Sequence, residues 1–154
     1  MAENTLMNNE LQIVVFKLGR EDYGISILQV QEIKRLTDIT RVPHAPDYIT
    51  GVINLRGSVL PVIDLKKRLD LPAGDYMDST RIVIVKVEDI IVGMIVDAVL
   101  EVTTLNTDSI EPPQTVVSGV NAQYLDGVGK LDDRLLILLN LETIIGVATE
   151  AVKA

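Results

Sequence analysis

The sequence predicts a mostly-β protein made of two small five-stranded barrels packed together, with short helices and a helix at the C-terminus. Three observations carry that reading. Val and Ile supply 20 and 17 of the 154 residues, against one Phe, four Tyr and no Trp, a composition that suits sheets around an aliphatic core. The apolar runs are short and bounded by turn residues; the longest is Ile90–Val96, between Asp89 and Asp97, far below the ~20 residues of a membrane-spanning helix. The third observation is self-similarity at about half the chain length, the signature of a duplication.

Two blocks carry the duplication. At an offset of 69, Tyr23-Gly24 through Val30, Glu32 and Ile33 lies over Val92-Gly93 through Val99, Glu101 and Val102, and Pro43 falls on Pro112. At an offset of 76, Gly51-Val52 falls on Gly127-Val128, Leu55 on Leu131, and the run Val59 to Leu65 on Leu135 to Leu141. About five short strands per copy is the number that closes a small barrel. A single domain over 10–147 is expected, with 11–80 as the first barrel, 81–147 as the second and 1–9 as a flexible N-terminus.

Each element has a local reason. Residues 11–18 and 23–28 read as strands around Gly19-Arg20-Glu21-Asp22, and 81–87 and 90–96 as strands around Glu88-Asp89. Ile13, Val15 and Lys17 face one way while Val14, Phe16 and Leu18 face the other, and continuous apolarity like this means burial on both faces or a place at a seam between sheets. Asp64 is placed to cap a short helix over Leu65–Leu69, closed by Pro72. Asn140 is placed to cap a C-terminal helix over 141–153, where Leu141, Ile144, Ile145, Ala148 and Val152 share a face. The hairpins Asn54-Leu55-Arg56-Gly57-Ser58 and Lys130-Leu131-Asp132-Asp133-Arg134 suit two-residue turns, because Gly, Asp and Asn tolerate positive φ.

Composition also excludes functions. Asp and Glu outnumber Lys and Arg by 22 to 14, a formal net charge of -8, and this field repels phosphate backbones and anionic membrane surfaces. A small barrel that binds nucleic acid would need a basic, aromatic-lined face, which this chain lacks. With no cysteine there is no disulfide or thiolate chemistry, and the start MAENTLMNNE has neither the basic end nor the apolar stretch of a signal peptide; a cytoplasmic protein is expected. His44, the one histidine, sits between two prolines in a loop. Gly127-Val-Gly129 lacks the third glycine of a dinucleotide site, and a hydrolase built on the plentiful carboxylates would lack aromatic platforms. Neither catalytic residues, nor a cofactor, nor a metal site is expected.

Departures between the copies point to function. Glu32 and Glu101 match, but only the first copy is read as placing an Arg in the matching hairpin, so an ion pair between Glu32 and Arg56 is expected.

These residues resemble the CheW-like domain family, whose members couple bacterial chemoreceptors to the histidine kinase CheA. The pattern runs from Phe16-x-Leu-Gly19 and Tyr23-Gly24-Ile25, through Val30-x-Glu32-Ile33 and Val42-Pro43, to Gly51-Val52-Ile53-Asn54-Leu55-Arg56-Gly57 and Pro61-Val62-Ile63-Asp64-Leu65. Val92-Gly93-x-x-Val96-Asp97-x-Val99 continues it in the second half. The resemblance covers about 10–147 and implies two SH3-like barrels, no catalysis, and a scaffold recruited to membrane-associated receptor arrays. Its implied partners are the regulatory domain of CheA and the cytoplasmic tip of the methyl-accepting receptors. Val30, Glu32, Gly51 and Arg56 match positions implicated in coupling; Val42, Pro43 and His44 are candidates for the kinase contact, and Val99 and Val102 for an apolar groove that takes a receptor helix. The chain reads as a stand-alone coupling protein rather than as the coupling domain of a related chemotaxis protein or kinase.

Overall fold

The computed structural model describes residues 5, 6, 9–72, 74–113, 116, 117 and 119–146. Its strands are β1 (Thr5–Leu6), β2 (Glu10–Leu18), β3 (Glu21–Ser26), β4 (Val30–Arg35), β5 (Ile49–Leu55), β6 (Ser58–Asp64), β7 (Arg81–Val87), β8 (Ile90–Val96), β9 (Ala98–Asn106), β10 (Ile110–Glu111), β11 (Val116–Val117), β12 (Val120–Asn121), β13 (Leu125–Leu131) and β14 (Arg134–Leu139). Helix α1 spans Leu65–Arg68, and α2 is helical over 141–146; the rest of the predicted C-terminal helix, 147–153, lies outside the described residues. At the N-terminus Thr5 and Leu6 pair with Leu11 and Glu10, and the Asn9 carbonyl accepts from the Thr107 backbone at 2.8 Å.

Strand pairing corrects the division of the chain at residue 80. One sheet runs β4-β7-β8-β6-β5; the other runs β1-β2-β3-β14-β13-β10, with β9 also on β2. The first barrel therefore takes its strands from 30–96, and the second joins β2 and β3 to β9, β10, β13 and β14. Each copy lends its opening hairpin, β2-β3 or β7-β8, to the barrel of the other. Continuous apolarity made this exchange possible, since each of these hairpins can serve a barrel interior with one face and the seam with the other.

The duplication is exact in register. Gly24 pairs with Leu138 in one barrel and Gly93 with Val62 in the other, both in parallel, and these partners are related by the offsets 69 and 76. Both glycines admit a crowded neighbour: a Cβ on Gly24 would lie 2.5 Å from Ile13 Cγ2, and one on Gly93 would lie 2.8 Å from Ile82 Cγ2. The bulges match too, at Val30/Glu32 in β4 and opposite Val15/Phe16 in β9. Each barrel is drawn closed beyond its third strand: Thr40 and Val52 exchange backbone hydrogen bonds of 2.9 and 2.7 Å, and Glu111 pairs with Val128 at the equivalent place.

Three apolar clusters fill the molecule. Ile53, Leu60, Val62, Ile82, Ile84 and Ile95 fill the first barrel, and Ile13, Val15, Leu105, Leu136 and Leu138 fill the second. Between them the opposite strand faces, with Val14, Phe16, Ile63, Val83, Val85 and Ile137 among them, form one continuous seam. At about 25 cal/mol per Å² of buried apolar surface, the seam contributes to stability as the barrel interiors do.

Local chemistry sets the ends. The Asp64 side chain accepts from the Lys67 amide at 3.4 Å and caps α1. The helix stops one residue short of the expected end because Asp70 turns left-handed (φ 61), which lets the amides of Asp70 and Leu71 close on the carbonyls of Lys67 and Lys66. Arg68, on α1, lies between the rings of Tyr48 and Tyr124, 4.6 and 4.9 Å from their centroids. It donates to the carbonyls of Ile144 and Thr143 at 3.0 and 3.2 Å and to the Tyr124 hydroxyl at 3.0 Å. One guanidinium thus ties the two copies together where Tyr48 and Tyr124 correspond at the offset of 76.

Candidate partner-binding surface

The residues singled out in the sequence fall in three places. At the mouth of the first barrel, the turn between β5 and β6 sets Arg56 at φ 50 and Gly57 at φ 86, and the Asn54 side chain accepts from the Gly57 amide at 3.1 Å. This turn carries Arg56 to Glu32 on β4, where its Nη2 donates to Oε1 at 2.5 Å. The expected ion pair is present, with Arg56 72% exposed and Glu32 29%, so the cation stands outward and the carboxylate behind it.

One expectation is corrected here. The second copy does carry an Arg in its hairpin: Arg134, two residues further on, donates to Glu101 and also lies 3.5 Å from Asp22. The Glu101 hydrogen bond, ahead of the other nearby carboxylates, pushes the Arg134 guanidinium upward from its ordinary value. Both copies close the mouth with a carboxylate and a guanidinium; what differs is that Arg56 leaves from the turn itself and Arg134 from the following strand.

The second place is the loop after Thr40. Gly51 is buried, and a Cβ there would sit 2.2 Å from the Thr40 carbonyl oxygen, so this glycine lets the barrel-closing bridge form at the root of the loop. Val42 and Pro43 line a cleft of about 560 Å³ with Arg41, Lys67 and Tyr76. His44 is exposed, with left-handed backbone at φ 64. Gly51 is an anchor, and the outward groups are Pro43 and His44.

The third place is the rim of the seam. Val30 and Val99, equivalent in the two copies, are half-buried and pack against the seam core with Ile27 and Ile90. Val102 lies three residues after Val99 on β9 and is 50% exposed. Its equivalent Ile33, also exposed at 42%, was missed by sequence reasoning, as were Val59 and Leu135, an exposed pair related by 76. The duplication held the signal: apolar residues recur at these positions in both copies without entering a core.

Among the described residues, no group of three or more His, Asp or Glu is disposed to hold a metal ion, and no helix is long and apolar enough to cross a membrane.

Fold and surface together define a duplicated double-barrel module that exposes an apolar seam rim and ion-paired barrel mouths. The model of the CheW-like domain matches residues 12–148. The chemotaxis protein CheW of Bacillus subtilis is 40% identical over 134 residues, 87% of this chain and 86% of that protein. That of Klebsiella aerogenes is 37% identical over 134 residues, 87% and 81% of the two chains. The crystal structure of the scaffolding protein TtCheW from Thermoanaerobacter tengcongensis matches with a TM-score of 0.82 and 40% identity, over 87% of this chain and 86% of that one. The chain belongs to the CheW-like domain family, and its role is that of a chemotaxis coupling adaptor.

Proposed function

We propose that this chain is a non-enzymatic cytoplasmic scaffold that joins the regulatory domain of the histidine kinase CheA to the cytoplasmic tip of chemoreceptors, and is recruited through them to membrane-associated arrays. The observation that carries the reading is the seam rim. Val30 and Val99 pack at the seam between the barrels and Val102 is half exposed on β9; these apolar side chains suit an amphipathic receptor helix, which needs a surface for its own apolar stripe. The first-barrel mouth, at one end of β5, and the loop that enters its other end supply a different kind of contact. Arg56 is outward, charged and able to donate through a planar fork, the side-chain type favoured at binding hot spots; Val42, Pro43 and His44 lie on the loop rooted by Gly51. This mouth and loop take the kinase domain, and the rim takes the receptor.

Two separate surfaces allow both partners at once. The test is a pull-down with purified kinase regulatory domain and a receptor-tip fragment. Each should be retained by this chain alone, and both together without competition. Mutual displacement would overturn the assignment of two surfaces, and retention of neither would overturn the adaptor reading for these partners.

A further inference from the structure

The exchange of hairpins has a consequence for how the molecule is held together. We propose that the chain is a tethered pair of half-chains: the surface each half presents is an interaction surface whose partner is another half of the same topology, and the linker over 74–79 serves that pairing as a tether.

The ladders carry the argument. In the first barrel β7 and β8, from the second half, are inserted among strands of the first half, with β7 on β4 and β8 on β6. In the second barrel β2 and β3, from the first half, lie on β9 and β14. Neither half therefore contains a complete barrel. Separated, each would expose the unpaired edges of its hairpin and of its remaining strands, the open template that drives strands to pair with another chain. The apolar interiors obey the same division: Ile82, Ile84 and Ile95 of the second half fill the first barrel beside Ile53, Leu60 and Val62 of the first. Ile13 and Val15 of the first half fill the second barrel beside Leu105, Leu136 and Leu138. The seam core draws on both halves throughout.

Between the halves, Gly74–Ser79 is exposed. It is pinned by polar contacts: the Tyr76 hydroxyl donates to Asp64 at 3.0 Å and the Ser79 hydroxyl to the Asp97 carbonyl at 2.8 Å. It contributes no strand to either sheet. Its physical effect is to hold the halves at high effective concentration, on the order of millimolar for a short tether, while the strands and cores supply the affinity.

The experiment uses the full chain with a sequence-specific protease site inserted between Asp75 and Tyr76 and cleaved after folding. The cut protein is expected to elute in gel filtration at the volume of the uncut chain, to keep its β-sheet circular dichroism, and to unfold at a denaturant midpoint that rises with protein concentration. Halves separated in denaturant and returned singly to buffer should lack the native spectrum, and mixing them should restore it. Gly24→Val, which crowds Ile13 and Leu138 at the joint between halves, should weaken reassociation by about tenfold or more. Halves that part in native buffer at micromolar concentration, or one half with a native-like spectrum as a monomer, would overturn the proposal. So would a Gly24→Val half that reassociates unchanged.

Discussion

Nη2 of Arg56 lies 2.5 Å from Oε1 of Glu32, joining a β-turn to the first strand of the same barrel, while the related carboxylate Glu101 is met by Arg134 from another position of its hairpin. The contact recurs in both copies, with Arg56 72% exposed and Arg134 38% exposed. An exposed pair contributes ~0 to 1 kcal/mol to stability, so Arg56→Ala should leave the melting temperature nearly unchanged. If Arg56 anchors the kinase contact, the same change should weaken binding by ~2 kcal/mol or more. Thermal melts and kinase affinity for Arg56→Ala, Glu32→Ala and the double variant separate the two roles. Coupling in stability alone would make the pair structural; coupling in binding would support recognition.

Gly51 makes a contrasting case. Its position beside the Thr40 carbonyl leaves no room for a methyl group, so Gly51→Ala should cost ~1 to 3 kcal/mol by overpacking and lower the melting temperature by several degrees. Any loss of partner binding should follow the loss of fold and be repaired at lower temperature. A variant that melts like the parent yet fails to bind would instead place Gly51 in the contact itself.

Much of this was legible in the sequence, and for identifiable reasons. Gly24 and Gly93, with the apolar runs around them, gave away the duplication, and the strand boundaries at Glu88-Asp89 fell where turn chemistry puts them. The pairing of Glu32 with Arg56 followed from opposite charges on neighbouring elements of one copy. The exchange of hairpins was not legible, because a strand apolar on both faces fits either barrel equally well, and only three-dimensional packing decides. Arg134 was missed because strict alignment places Ser58, not Arg56, at its position. Arg68 was missed because its partners, Tyr48, Tyr124 and two helix carbonyls, are remote in sequence; the match of two of the four tyrosines at the offset of 76 was the available clue.

Arg68 is expected to be the most sensitive charged residue of the fold. Arg68→Met keeps an apolar stem but removes the donors to Ile144, Thr143 and Tyr124 and the cation between two rings. A loss of ~2 kcal/mol or more follows, since hydrogen bonds from a charged group contribute ~1.5 to 3 kcal/mol and cation–π contacts ~0.5 to 2. Denaturant titration measures it. An unchanged midpoint would show that the stacked guanidinium contributes no net stability.

Asp126 supplies a pH-dependent test. Asp126 is exposed, and the partial withdrawal of its carboxyl from water first, and then the charge of Glu142, raise it above the usual carboxylate range. Between the ordinary value and the raised one, the folded chain keeps a proton that the unfolded chain has lost. The group's favourable contribution is therefore complete below the ordinary pKa and disappears as pH rises through the raised one. Asp126→Asn should melt higher than the parent at neutral pH, and that advantage should shrink as the pH falls toward about 4, near the ordinary carboxylate pKa. Melts of both proteins across this range decide it; an advantage independent of pH would assign the effect to something other than ionisation.

The central claim is that the chain couples receptor to kinase without chemistry of its own, and reconstitution tests it most directly. Purified kinase and receptor are assayed for phosphotransfer with and without this chain, and with Arg56→Ala in its place. The account predicts receptor control of kinase activity only when the chain is present, weakened by Arg56→Ala and restored by raising its concentration. Receptor control that is the same when the chain is omitted would contradict it.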